Sequence, residues 1–199
     1  MASFPVEPSY ARAILASKDY GCTAEILDII SVLSASSKLF FDTVEQRNSA
    51  SEARQRFRHP SGDHLTILNA IKSYREADIG QSKGGKEWCQ RQYLNERTLV
   101  EASKIRDQLR ITCSRLNING EISCGDNEEV LLKSLGHGLI QNAAFLQTDG
   151  SYKQIMGPSV SHPPIGGLVD SFVSCRLSEY TQVPPCGTKR YLPSSMMNW

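Results

Sequence analysis

Long apolar runs, paired cysteines and a strong excess of one charge are all missing from this sequence. Its longest apolar stretches fall far short of the ~20 residues that a membrane span requires, which argues against a transmembrane helix. The N-terminus has no basic segment followed by an apolar run, so no secretory leader is expected. Six cysteines are present, but no two have C-x-x-C spacing and no Cys/His group has zinc-ligand spacing. Cys22, Cys89 and Cys113 sit inside apolar helical patterns and read as buried free thiols, which favours a reducing compartment, cytosol or nucleus. A phosphate-cradling loop of the form G-x-x-x-x-G-K-[ST] is also absent. The nearest approach, Gly80-Gln81-Ser82-Lys83-Gly84-Gly85-Lys86, runs into Glu87, with no hydroxyl for magnesium and no strand before it. By composition the segment from Asp78 to Lys86 is a flexible loop.

What is present is an ordinary globular composition, 40% hydrophobic and 22% charged, in 199 residues. That length holds one domain of usual size or two small ones. The formal net charge is only +1, but it is unevenly spread. Residues 50–116 carry 13 Lys/Arg against 8 Asp/Glu, and both flanks are slightly acidic. A basic middle fits a nucleic-acid-facing segment, and it fits solvated helix faces equally well.

Periodicity predicts a mainly α chain with a small β-containing end. Pro8 to Ser17 is a short helix candidate. After Gly21-Cys22-Thr23, apolar residues at Ile26, Ile29, Ile30 and Leu33 recur with helical period and mark a core helix. Residues 36–50 read as a Ser-rich loop, and Ser51 to Phe57 as a short amphipathic helix ended by Pro60. Asp63 opens the next helix as an N-cap or first-turn acid, with Leu65, Leu68 and Ile71 on one face. Trp88 to Leu94 is helical, and Asn95 is placed to cap a long helix from Glu96 to about Leu116. On that helix Ala102, Ile105, Leu109, Cys113 and Leu116 form an apolar stripe. Arg97, Lys104, Gln108 and Arg115 share another face. A last helix is expected from about Asn127 to Phe145. Beyond Gly150 come three strand-like runs, 151–155, 159–162 and 171–174, set among prolines and glycines. The domain reading is a helical unit over residues 1–120 and a smaller β-containing unit over 121–199.

Three blocks carry the most information. They are Phe57-Arg58-His59-Pro60-Ser61-Gly62-Asp63-His64-Leu65-Thr66-Ile67-Leu68-Asn69, then Trp88-Cys89 with Tyr93-Leu94-Asn95, then Ile105-Arg106 with Gln108-Leu109. Asp63-His64 is not read as a catalytic pair, because neighbours on a helix point about 100° apart. It reads as a helix start plus packing. Trp88 reads as a core anchor, and Asn69 and Asn95 as polar side chains that fasten loops to helices.

In order and spacing these blocks resemble the helicase-associated region of DEAH-box RNA helicases, with its helical ratchet domain. Residues 5–35, with Cys22, Glu25-Ile26-Leu27 and Leu33-Ser34, resemble the stretch that joins a winged-helix domain to the ratchet. Leu135, Gly138-Leu139, Asn142-Ala143-Ala144, Asp149-Gly150 and His162-Pro163 resemble the entry to an OB-like fold. Within the family the likeness points to the branch linked to nucleolar ribosome biogenesis. Two departures stand out. The RecA-like motor domains, with their D-E-A-H quartet, and nearly all of the winged helix have no counterpart here. Beyond His162-Pro163 the sequence turns to Pro164-Ile165-Gly166-Gly167 and a Pro/Cys-rich tail, which suggests an incomplete OB-like domain or an altered reading frame over residues 164–199.

The resemblance implies an accessory region that binds single-stranded RNA and supports ATP-driven unwinding by motor domains absent from this chain. Alone, the chain is expected to be inactive as an ATPase. No cofactor and no metal are expected in it, ATP and magnesium belonging to the motor. The implied partners are RNA, the helicase motor domains and an activating protein, with no membrane. The implied location is the nucleus, with the nucleolus as a refinement, and otherwise the cytoplasm. The residues expected to meet RNA are Asp63, His64 and Thr66 at one helix start, and Arg97, Lys104, Arg106, Gln108 and Arg110 on the long helix. Arg106 lies in the motif itself, and Arg97 and Lys104 follow from helix facing. The alternative is a stand-alone helical module that binds a protein, or a fragment without independent activity.

Overall fold

A computed structural model describes residues 4–40, 47–79 and 85–146, with the short strands 152–154, 160–161 and 173–174. The loop 80–84, the His162-Pro163 pair and the tail beyond residue 174 lie outside the described residues.

Seven α-helices account for most of the described structure. Helix α1 (Pro8–Tyr20) opens with Pro8, whose fixed φ suits the first helical turn. It ends at Gly21, which takes the left-handed conformation (φ 65°) that an L side chain resists. Helix α2 (Thr23–Leu33) is the centre of the molecule. Its residues from Glu25 to Val32 are all buried, which is why its apolar pattern is nearly continuous. Helices α1, α4, α6 and α7 all pack against it.

Helices α3 (Arg47–Gln55), α4 (Asp63–Ile79), α5 (Gly85–Arg91) and α6 (Glu96–Arg115) follow. Two apolar clusters result, and α4 and α6 each serve both. Leu65 and Leu68 of α4 join Ile14, Ile26, Ile30, Leu109, Cys113 and Leu135. Ile67, Ala70 and Ile71 of α4 turn to the second cluster with Phe40, Phe57, Leu94, Leu99 and Ala102. Trp88 lies beside that cluster, its ring tilted against Phe57 and Tyr74 at 6.2 and 6.1 Å. Asn69 fastens the loop before α4 by donating to the Phe57 carbonyl at 3.1 Å. Asn95 caps α6, its side-chain oxygen accepting from Arg97 N–H at 3.1 Å.

Helix α7 (Glu128–Leu139) lies past the Asn119-Gly120 break, yet it packs along α1, and the helical core therefore runs beyond residue 120. Ser134 Oγ donates to the Ala13 carbonyl at 3.1 Å across this contact. Gly138 allows the approach, because a Cβ there would sit 2.8 Å from the Ala13 Cβ and also meet the Ser9 carbonyl oxygen. The helix expected to reach Phe145 stops earlier. A 3₁₀ turn covers Ile140–Asn142, and Ala143–Leu146 becomes strand β1. Pairing decides this: β1 is antiparallel to β2 (Tyr152–Gln154), which satisfies its backbone groups across strands. Strands β3 (Val160–Ser161) and β4 (Val173–Ser174) complete a sheet of order β3-β2-β1-β4, with β1 and β4 parallel. The described structure is thus mainly helical, as expected.

Two further expectations shift. The Ser-rich segment supplies an isolated bridge, Phe40 to Leu94, and α3 begins at Arg47 rather than Ser51. Helix α5 ends at Arg91, and Tyr93 takes a left-handed φ of 55° that turns the chain into the Asn95 cap.

Candidate nucleic-acid interface

The sequence-derived candidates fall into three structural groups. The first lies at the start of α4. His64 is buried, and desolvation pushes its imidazole from 6.5 down to about 4. It is neutral at physiological pH and has little surface to offer a ligand. Thr66 is also buried; its Oγ accepts from His59 N–H at 3.0 Å and donates to the Gly62 carbonyl at 3.1 Å. Asp63 sits in the first turn, where its carboxylate meets the helix N-terminus. His64 and Thr66 are therefore architectural in the described structure: they shape the turn into α4.

The second group is taken up by carboxylates. Asp28, in the middle of α2, has a side chain only 6% exposed. It receives Arg75 of α4 in a two-pronged contact, 2.7 Å to Oδ2 and 2.5 Å to Oδ1. Arg106 of α6 reaches the same Oδ1 through Nε, also at 2.5 Å. Arg106, the cation inside the motif, thus points inward and ties α6 to α2. The Arg75 guanidinium is held above its ordinary range, first by the hydrogen bonds to Asp28. Arg110 pairs with Glu121 at 3.0 Å on the rim, both half exposed, which raises the guanidinium and lowers the carboxyl. A pair that open is weak, because water screens it.

The third group keeps its surface. Arg97, Lys104 and Gln108 are exposed along the outer face of α6, and Arg115 continues the line. Arg97 and Lys104, with Ser36, Glu96, Val100 and Glu101, line an open groove of about 410 Å³. Glu101 between them accepts from Ser36 N–H at 3.2 Å and Ser36 Oγ at 2.7 Å. Those bonds lower its pKa first, and the charges of Arg97 and Lys104 add to the effect. Val100 and Ile111 are 43% and 53% exposed on the same face. Two cations, an amide and two apolar side chains thus stand on one helix whose buried side is fixed by Leu99, Ala102, Leu109 and Cys113.

Residue patterns overlooked two structural sites. Asp28 and Arg75 form the buried charge centre just described. Glu25, 5% exposed, anchors the segment after α6, taking Ser123 Oγ and the Cys124 N–H, the latter at 3.3 Å. A signal existed for both: each acid interrupts an otherwise apolar helix, and a buried carboxylate demands donors. Among the described residues no group of His, Cys, Asp and Glu is placed to hold a metal ion. No described helix is long and apolar enough to cross a membrane.

Comparison with known proteins agrees with this architecture. Residues 7–67, which span α1 to the start of α4, match the helicase associated domain (HA2), ratchet-like. The chain is 38% identical over 152 residues to the ATP-dependent RNA helicase DHX33 of Mus musculus, covering 76% of this chain and 21% of that protein. It is 36% identical to the Homo sapiens and Drosophila melanogaster proteins of the same name, over the same 76% of this chain and 20% and 21% of theirs. The chain spans about a fifth of the length of the curated relatives it matches. Residues 7–67 are thus similar to a ratchet-like helicase-associated domain, and the chain as a whole is similar to about a fifth of the DHX33 RNA helicases.

Proposed function

We propose that this chain engages single-stranded RNA through the outer face of α6 and so supports unwinding by helicase motor domains outside this stretch. The observation that carries the reading is the placement of Arg97, Lys104 and Gln108, exposed on one helix that packs on α2, which lies within the stretch similar to a helicase-associated domain. Cations and an amide in line suit a phosphodiester backbone and read no bases. Arg106 acts behind this face, tying α6 to α2 through Asp28. An OB-like continuation after β1, a protein activator, a nuclear location and a role in ribosome biogenesis belong to the same proposal.

Fluorescence titration of single-stranded RNA across a salt series tests it. Each phosphate contact contributes about 0.7 to the slope of log affinity against log salt for single strands. Arg97→Gln with Lys104→Gln should therefore lower the slope by about 1.4. No binding by the wild-type chain at low salt would refute the reading.

A second reading has its own support. Val100 and Ile111 are exposed on the same face, and apolar side chains between charges suit a protein partner. A Val100→Ser, Ile111→Ser double variant that keeps its RNA affinity but loses binding to helicase motor domains would favour that reading.

A further inference from the structure

The turn between α3 and α4 displays two arginines from a backbone held by hydrogen bonds. Phe57, 5% exposed, is packed into the second apolar cluster between them. Its carbonyl accepts from Asn69, and its N–H donates to the Arg54 carbonyl at 3.1 Å. The N–H groups of Arg56 and Arg58 reach the carbonyls of Ala53 and Gln55, each at 3.2 Å. On the far side His59 N–H is held by Thr66, and His59 Nε2 lies 3.1 Å from Glu128 of α7. Ser61 Oγ donates to the other oxygen of that carboxylate at 2.7 Å. With Phe57 and His59 fastened, Arg56 and Arg58 are both turned to solvent.

Their charge is not consumed. Neither forms an ion pair among the described residues, in contrast to Arg75, Arg106 and Arg110. Nor does the described turn expose a large apolar side chain that a protein interface could bury. The exposed large apolar residues of the described structure are Leu15, Val100, Ile111, Leu116, Ile122 and Ile140, and none lies in this turn. A protein interface needs a desolvated apolar centre, whereas a phosphate backbone needs only fixed, open donors. Guanidinium groups suit it best, because each offers a planar fork to phosphate oxygens.

We propose that Arg56 and Arg58 form a second RNA phosphate-binding site, separate from the α6 face and indifferent to base identity. The proposal rests on the RNA reading above and extends it to a turn that reading does not use. The test titrates oligouridylate and oligoadenylate into the full chain and into an Arg56→Gln, Arg58→Gln variant across a salt series. Two lost contacts should lower the salt slope by about 1.4, equally for both oligomers. Over the decade from 1 M to 0.1 M salt that slope corresponds to roughly 25-fold weaker binding. An Arg56→Lys, Arg58→Lys variant should keep the wild-type slope, and all three proteins should share one thermal midpoint. If the wild-type chain binds RNA and the Gln variant keeps its slope and affinity, this site is refuted and the α6 reading stands. If the wild-type chain binds no RNA, both fall. Retained RNA binding with loss of polyglutamate binding would make the turn a protein contact and overturn the proposal.

Discussion

Replacing His64 with glutamine should remove a large part of the acid sensitivity of this fold. The wild-type imidazole is buried and has its pKa pushed from 6.5 down to about 4 by desolvation alone. Below pH 6.5 the unfolded chain takes up a proton that the folded chain refuses until pH falls to about 4. Stability is therefore fully present above pH 6.5, and it is lost as pH falls through that window. One pKa unit corresponds to about 1.4 kcal/mol, so the full depression is worth roughly 3 kcal/mol at the acid limit. By about pH 5 the loss is roughly 2 kcal/mol. Urea unfolding at about pH 7.5 and pH 5 reads this directly. The wild-type loss should exceed the His64→Gln loss by roughly 2 kcal/mol, whatever the absolute stability of the variant. Should the variant be too unstable to measure, the ring-proton titration of wild-type His64 supplies the same answer. Equal losses in the two proteins, or a His64 titration midpoint near 6.5, would refute the reasoning. Either result would also reopen His64 as a surface residue able to meet RNA.

Two further perturbations probe how the helices are joined. Gly138→Ala places a methyl against Ala13 and the Ser9 carbonyl, so α1 and α7 must separate. A cost of about 1–3 kcal/mol is expected in urea unfolding, where an ordinary helix would gain from the alanine. Asp28→Ala strands two guanidinium groups at the α2–α4–α6 junction. A loss of about 3 kcal/mol is expected, at the low end for breaking a buried ion pair, because Arg75 is 43% exposed and can rehydrate. By the same logic Arg75→Ala combined with Arg106→Ala should leave Asp28 buried alone, and a double-mutant cycle with Asp28→Ala should show strong coupling.

The α6 face is legible from sequence because its origin is local. Helical spacing alone places Arg97, Lys104 and Gln108 in one line and Ala102, Leu109 and Cys113 in another, and Asn95 marks where the helix begins. Arg106 and Arg110 share the same helix, but the same spacing could not say where their charge goes. Their partners, Asp28 and Glu121, lie 78 and 11 positions away in the chain. The direction of Arg106 was settled by the packing of α6 on α2, which brings a buried carboxylate within its reach.

Residue order alone sets the helical period, the caps and breaks, and the family that these blocks resemble. Local propensity and patterning act within a few residues, so they can be read from a single strand of text. Tertiary structure decided the rest. It took α7 into the same core as α1 through Gly138, ended that helix where strand pairing offered better partners, and buried His64 and Thr66. It also turned Arg106 inward while leaving Arg56 and Arg58 exposed. Each outcome depends on which distant groups share a desolvated space, and burial makes unpaired charge costly in a way sequence spacing does not reveal.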